Sequence, residues 1–344
     1  MLKRLIQSRS IKLFCQRCVL SELATTQQHI THRSQNEEFK DQEVALPDNN
    51  SLLEPLSEDI SHVSTYLKPT FNLAAYANKS EIIQEFIKLG VDLHYIETKI
   101  KDSVPFILGL KFDNIKDHIL FFNNLGVEFT DIGKVITKNP FIFRERLDDL
   151  EVRVNYLKFK NFDAEAISRI ISVNAFWLSY STQDIDQKLG FFQKTFELSG
   201  PEVRLVAAKK PQLITCYQQK VKEIIFTIKE EMGFSQENLK HMILIKPAIF
   251  MTGQHQLIAT FDYLHNTMQI PHEQILQEPA ILRCRHRRLK ERHQFLVKLK
   301  RDQFNPKKPN YINLITMVKD TDANFAMEVA KSNVEEYNMF LKTL

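Results

Sequence analysis

Glycine and tryptophan are scarce in this sequence, with 8 glycines and one tryptophan among 344 residues. The glycine-rich loops that bind nucleotide phosphates, GxxxxGKS/T and GxGxxG, are both missing, and so is the zinc-protease motif HExxH. No apolar run reaches the ~18 residues of a membrane-spanning helix. These absences argue against a nucleotide-dependent enzyme, a metalloprotease and an integral membrane protein.

Cysteine is also rare, and the four cysteines are Cys15, Cys18, Cys216 and Cys284. They supply one CxxC pair without a second, so neither a disulfide framework nor a zinc ribbon is indicated. Cys284, His286 and His293 are spaced like metal ligands but lack a fourth ligand nearby. The adjacent carboxylates of Asp148 and Asp149, and those of Glu230 and Glu231, have no partner nucleophile, so no catalytic arrangement is indicated. We therefore expect no metal, no cofactor and no enzymatic activity.

The N-terminus is basic and free of acids, since Glu22 is the first acidic residue. Apolar residues alternate there with five bases, which are Lys3, Arg4, Arg9, Lys12 and Arg17. This pattern is typical of a mitochondrial transit peptide, the alternative being an ordinary basic tail. Residues 22 to about 60 are polar and acidic, which favours a disordered linker. Residues 1–60 are thus predicted to be targeting peptide and linker.

An internal repeat dominates the rest of the chain. An apolar residue, here called the landmark of its unit, follows a turn-like junction at Val91, Val127, Phe162, Leu198, Phe234 and Ile270. The successive spacings are 36, 35, 36, 36 and 36 residues. Five residues after each landmark stands another apolar residue, namely Ile96, Ile132, Ile167, Val203, Leu239 or Ile275. Apolar columns with offsets of four residues predict helices rather than strands.

A proline followed by a short apolar tag punctuates most units. Pro140, Pro211 and Pro247 stand thirteen residues after their landmarks, whereas Ala175 replaces the proline in the third unit. Pro105 and Pro279 are out of phase in the first and last units. Each unit is therefore predicted to contain a longer helix, a bend, a second helix and a 3₁₀ tag. The prediction is an all-α helical-repeat solenoid of about six units over 66–308, with a helical cap at 309–344.

Positive charge is concentrated in the C-terminal half. Residues 200–308 contain 19 bases and 10 acids, a net charge of +9, whereas residues 61–199 contain 17 bases and 18 acids, a net charge of −1. The densest run comprises Arg283, Arg285, Arg287, Arg288, Lys290 and Arg292. We predict that this run contacts nucleic-acid phosphates, the alternative being a solvated charged surface.

A second basic group follows the repeat and comprises Lys138, Arg144, Arg146, Lys209, Lys210, Lys220, Lys222 and Lys246. Several of these lysines precede the tag, so stacked units would align them as a stripe suited to a phosphate backbone. Arg144, Arg146 and Arg153 are weighted lower, because Asp148, Asp149 and Glu151 are expected to neutralise them. The many aromatic residues, Trp177 included, lie in apolar columns and are expected to be core.

The unit resembles that of the mitochondrial transcription termination factor family. The tags that carry the resemblance are Lys-Asn-Pro-Phe-Ile-Phe at 138–143, Lys-Lys-Pro-Gln-Leu-Ile at 209–214 and Ile-Lys-Pro-Ala-Ile-Phe at 245–250. The sequences at 89–93, 189–194, 290–293, 308–312 and 340–344 are similar to the third animal subfamily. The resemblance covers roughly residues 70–344 and departs from the family pattern at Ala175.

The resemblance implies a superhelical half-ring whose basic groove holds nucleic acid, in a protein of the mitochondrial matrix. It implies a regulator of mitochondrial transcription that also supports rRNA maintenance and assembly of the large mitoribosomal subunit. The expected partners are mitochondrial DNA or rRNA and mitoribosomal or RNA-modifying proteins, with no membrane contact, and the protein is expected to be a monomer. The alternative is a protein-interaction scaffold that recruits a partner to rRNA or ribosome precursors, which the near-neutral charge of residues 61–199 favours.

Overall fold

The computed structural model describes residues 73–77 and 80–344. The predicted transit peptide and linker at 1–60 lie outside these residues. The described part of the chain is α-helical and contains no strand. None of its helices combines the length and apolarity that crossing a membrane would require.

The predicted order of elements is present in all six units. The first helices of units 1 to 6 span Glu81–Lys88, Phe112–Asn124, Leu147–Phe159, Thr182–Thr195, Gln218–Phe226 and Gln254–Asp262. The last two continue as π-helical turns at Thr227–Glu231 and Tyr263–Thr267. The second helices span Leu93–Lys99, Phe129–Lys138, Ala164–Val173, Gly200–Lys209, Gln236–Ile245 and His272–Gln277. The all-α helical-repeat fold is therefore confirmed.

The tags close each unit, with variations. Four of them are 3₁₀ turns, at Pro140–Arg144, Trp177–Ser179, Pro247–Met251 and Pro279–Arg283. The tag of unit 4, Pro211–Thr215, is a turn of α-helix, so the predicted 3₁₀ geometry is wrong there. In unit 1 a 3₁₀ turn at Lys101–Ser103 leads into a helix at Val104–Leu108, which has Pro105 in its first turn.

The bend between the two helices has the same backbone conformation in every unit. The residue before each landmark has a positive φ, between 54° and 79°, at Gly90, Gly126, Asn161, Glu197, Gly233 and Gln269. The landmark amide then donates to a carbonyl in the last turn of the first helix, as from Val127 to Phe122 and from Phe162 to Leu157 (both 3.1 Å). This is the left-handed helix ending that glycine favours, yet half of the six positions are not glycine.

The apolar columns form a continuous core. All six landmarks are at most 7% exposed, and the six residues that follow five positions later are at most 6% exposed. Trp177 is 2% exposed, so its expected place in the core is confirmed. Because each unit has apolar residues on both sides, its core faces are covered only by its neighbours.

Hydrogen bonds from the second helices of units 3 and 5 reach the bend of the preceding unit. Ser168 donates to the carbonyl of Gly126 (2.8 Å), and Lys240 donates to the carbonyl of Glu197 (3.0 Å). In unit 2 the corresponding position is Gly133, where an added Cβ would lie 1.9 Å from the carbonyl oxygen of Leu89. The side chain six residues after the landmark thus fixes how closely two units approach.

Residues just before the tags share an extended conformation. Asn139, Asn174, Lys210, Lys246 and Glu278 all have φ between −144° and −133° and ψ between 66° and 85°. The side-chain amide of Asn139 donates to the carbonyl of Ala175 (3.1 Å), and the side-chain amide of Asn174 donates to the carbonyl of Pro211 (3.2 Å). Asn174 adopts this conformation without a following proline, because its side chain is held by the next unit.

A further helix at His286–Lys298 stacks on unit 6, and Lys300, two residues after its end, has a φ of 55°. The helices after it span Leu314–Lys319, Asp322–Asn324 with a π-helical turn at Phe325–Val329, and Val334–Leu341. Their rings surround Phe295, whose ring centroid lies 4.9 Å from that of Tyr337 and 5.3 Å from that of Phe340. These contacts cover the apolar side of the last stacked helix.

Candidate nucleic-acid interface

The C-terminal ends of the second helices follow one another along the array and attract cations. Lys209 donates to the carbonyl of Leu244 (2.8 Å), and Arg169 donates to the carbonyl of Ala208 (2.9 Å). Nε2 of His241 lies 3.1 Å from the carbonyl oxygen of Leu276. Cations are stabilised at helix C-termini by the unpaired carbonyls there. Among the lysines of the predicted stripe, Lys209 makes such a contact.

Three of the predicted cations converge from units that are not adjacent. Burial, the charge of Arg283 and the charge of Lys138 lower the pKa of Lys210 below its ordinary value of 10.5. These residues belong to units 2, 4 and 6, so the winding of the array brings Lys138 and Arg283 each within electrostatic reach of Lys210. Lys138 and Arg283 are exposed and Lys210 is half-buried. No described acid lies within ion-pair distance of any of the three. We call these three residues the convergent cluster.

The arginine run after the last tag is mostly accessible. Arg285 and Lys290 are exposed, and Arg288 is half-buried. Arg287 is exposed but forms an ion pair with Glu291 (2.5 Å). The first turn of the helix at His286–Lys298 contains arginines and no acid, although that end of a helix favours negative charge. An anion bound there would relieve this unfavourable arrangement.

The remaining lysines lie at other places on the array. Lys246 is half-buried next to the helix end that Lys209 contacts, whereas Lys220 is exposed on the first helix of unit 5. The ammonium of Lys222 lies 5.8 Å from the ring centroid of Phe191 in the first helix of unit 4. Nothing brings Lys220 or Lys222 to the convergent cluster, so their expected phosphate contacts remain predictions.

The expected phosphate contact does not hold for Arg292 in this structure. Its side chain is fully buried, and its guanidinium donates to the carbonyls of Met317 (2.7 Å) and Asp320 (2.6 Å). It also pairs with Asp322 at 2.6 Å and stacks on Phe325 at 4.7 Å. Since its donors are directed into the C-terminal helices, Arg292 holds those helices in place.

The buried polar groups near this run are also structural. Burial raises the pKa of the Cys284 thiol to about 12, which makes it a poor nucleophile. The hydroxyl of Tyr263 lies 2.9 Å from Nδ1 of His293, and burial lowers the pKa of His293. No group of three His, Cys, Asp or Glu side chains in the described part of the chain is arranged to hold a metal ion.

Comparison with known proteins agrees with this architecture. The mTERF family matches residues 67–326. The chain is 46% identical over 276 residues to transcription termination factor 3, mitochondrial, of Drosophila melanogaster, covering 80% of this chain and 78% of that protein. It is 39% identical over 299 residues to the protein of the same name in Rattus norvegicus, covering 86% of this chain and 73% of that one. With its repeat, its tags and these relatives, the chain belongs to the mTERF family.

Proposed function

We propose that this protein binds nucleic acid in mitochondria and acts in mitochondrial transcription, through contacts to the phosphate backbone. The observation that carries the proposal is that Lys138 and Arg283, from units 2 and 6, both act electrostatically on the half-buried Lys210 of unit 4, while none of the three has an ion-pair partner among the described acids. Unpaired cations held close together repel one another, and a phosphate backbone replaces that repulsion with attraction. The names of the relatives support the mitochondrial and transcriptional setting.

The test removes the three cations of the convergent cluster together, as Lys138→Gln, Lys210→Gln and Arg283→Gln. The matched control removes three exposed cations that already have acidic partners, Lys88→Gln, Lys134→Gln and Arg146→Gln. Fluorescence anisotropy with duplex DNA and with single-stranded RNA, titrated at several KCl concentrations, measures affinity. We expect the cluster variant to lose affinity and its log–log salt slope to decrease by about two to three, with little change in the control.

Two results would contradict the proposal. Equal affinities of the two triple variants would mean that only net charge matters. An affinity of the unmodified protein that does not change with salt would exclude a phosphate surface.

Charge reversal at Arg285, Arg287 and Arg288 extends the test to the arginine run and should weaken binding without unfolding the protein.

The finer role that we propose includes support of rRNA maintenance and of large-subunit mitoribosome assembly in the matrix, by a monomeric protein without enzymatic activity. What supports it is the similarity to the third subfamily in the sequence and the absence of a catalytic motif there. Cross-linking in intact mitochondria, followed by sequencing of the attached nucleic acid, separates DNA from rRNA as the main target. Recovery of neither would count against both roles.

A protein-binding scaffold is the second candidate, because of one exposed aromatic side chain. Phe159, at the end of the first helix of unit 3, is 79% exposed. It borders a cleft in which Asp186 accepts a hydrogen bond from Tyr156 (2.6 Å) and pairs with Lys160 (2.7 Å). If protein binding is the main role, the same cross-linking should recover one defined protein through this cleft, and Phe159→Ser should abolish it while nucleic-acid affinity is unchanged.

A further inference from the structure

Arg144 has an unusual environment at the end of the unit 2 tag. Its guanidinium carbon lies 4.5 Å from the ring centroid of Phe106 and 4.3 Å from that of Phe141. The two ring centroids are 5.8 Å apart, so the guanidinium rests in the notch between two tilted rings. The Arg144 residue is nonetheless exposed. A cation against aromatic rings is held by the negative ring faces, which limits its movement.

The acids near Arg144 are paired with other cations. Asp148 pairs with Arg146 at 2.8 Å, and Glu145 pairs with Arg153 at 2.7 Å. No acid in the described part of the chain lies within ion-pair distance of Arg144, and no hydrogen bond from its guanidinium is present there. Arg146 is therefore paired with one of the expected acids, Asp148, and Arg153 is paired with Glu145 instead. Arg144 is not paired with any of the expected acids. Its charge and its N–H donors are available to a ligand.

The position of Arg144 in its unit places it with the convergent cluster. It is the last residue of the tag Pro140–Arg144, just as Arg283 is the last residue of the tag Pro279–Arg283. Lys138, which ends the helix before the same tag, acts electrostatically on Lys210. Equivalent positions of stacked units lie along the same side of a repeat array. Arg144 and Arg283 therefore lie along one edge.

We propose that Arg144, held between Phe106 and Phe141, is a further binding residue for a backbone phosphate and extends the nucleic-acid surface into unit 2. The planar fork of a guanidinium matches two phosphate oxygens, and one already held in place loses less conformational freedom on binding. The net charge of −1 over residues 61–199 gives no sign of this residue, because acids elsewhere in that half, such as those paired with Arg146 and Arg153, balance its charge in the count. This inference rests on the proposed nucleic-acid binding.

The test compares Arg144→Gln with Arg146→Gln in the full chain, because the two arginines are two residues apart, both exposed, and differ in having an acidic partner. The probes are a mixed-sequence DNA duplex and a single-stranded RNA of equal length, measured by anisotropy over a range of KCl concentrations. We expect Arg144→Gln to weaken binding by about tenfold and to reduce the salt slope by about one. Arg146→Gln should change affinity less than about twofold.

Arg144→Lys separates geometry from charge, since it keeps the charge but not the fork. It should recover only part of the affinity, with a salt slope close to that of the unmodified protein. Equal effects of Arg144→Gln and Arg146→Gln would overturn the inference. If Arg283→Gln weakens binding and Arg144→Gln does not, this inference fails and the proposed function stands; if the unmodified protein binds neither probe, both fail.

Discussion

Gly133 and Gly190 are both inside helices but have different surroundings. A Cβ at Gly133 would lie 1.9 Å from the carbonyl oxygen of Leu89, whereas nothing lies within 4 Å of a Cβ at Gly190. We expect Gly133→Ala to reduce the free energy of unfolding by about 2 kcal/mol, because two units must move apart. Gly190→Ala should increase it by about 1 kcal/mol, since alanine favours the helix. Urea denaturation measures both, and stabilisation by Gly133→Ala would mean that the two units are not held at this contact.

Residue type predicts the left-handed backbone at three of the six bends but not at the other three. Glycine at three bends indicates a left-handed helix ending, but Asn161, Glu197 and Gln269 adopt the same conformation at the other three. There the stacking of the flanking helices imposes a backbone that propensity alone would not choose. Only the regular spacing of the landmarks reveals these positions, because residue type does not.

The local density of positive charge does not predict the roles of two arginines, Arg292 and Arg144. Arg292 stands three residues after Leu289 and four before Leu296, both of which are buried. That spacing places it on the apolar face of its helix, a signal present in the sequence that local charge density obscured. Arg144 offers no comparable signal, because the choice of Asp148 by Arg146 depends on side-chain geometry. The sequence therefore predicts where basic residues are concentrated, whereas the partner of an individual arginine such as Arg144 or Arg146 depends on the folded structure.

At the scale of the helix, Arg292 connects the stacked array to its C-terminal helices. Arg292→Met keeps much of the side-chain volume but leaves the carbonyls of Met317 and Asp320 without their buried donor. We expect the free energy of unfolding to fall by about 3 kcal/mol. Arg287→Gln, which removes an exposed ion pair from the same helix, should change the stability much less.

Thermal and urea denaturation give the stabilities, and anisotropy below the melting temperature gives the affinity for DNA. A folded Arg292→Met protein should bind as the unmodified one does. Lost affinity with unchanged stability would instead restore Arg292 to the phosphate surface. A large stability loss would support our proposal that residues 309–344 act as a cap on the array.

At the scale of the whole molecule, the charges of the convergent cluster are expected to destabilise the free protein while they favour nucleic-acid binding. Protonated Lys210 is disfavoured in the folded state, since burial and the charges of Arg283 and Lys138 lower its pKa below 10.5. Its destabilising effect is complete below the folded-state pKa and is lost as the pH rises towards 10.5, where the unfolded chain also loses the proton. We expect Lys210→Met to raise the melting temperature of the free protein at neutral pH while it weakens nucleic-acid binding.

Differential scanning fluorimetry at low and high KCl checks this expectation. The gain in melting temperature should shrink as salt screens the repulsion. Lys298→Met is a control at an exposed lysine of the last stacked helix, whose ammonium lies 5.5 Å from the ring centroid of Phe340. A lower melting temperature for Lys210→Met at every salt concentration would mean that the lysine stem contributes more than the charge costs.

Contacts in the array reach from one unit to the next, as in the 36-residue span from Asn139 to Ala175 and the 42-residue span from Gly126 to Ser168. Such local contacts favour rapid, stepwise folding, in which each unit docks onto the one before it. The convergent cluster is different, because Lys138, Lys210 and Arg283 are separated by two units each and meet only when the intervening units have docked. A chain delivered N-terminus first thus completes the convergent cluster, and with it the phosphate surface that we propose, only after the last unit has docked.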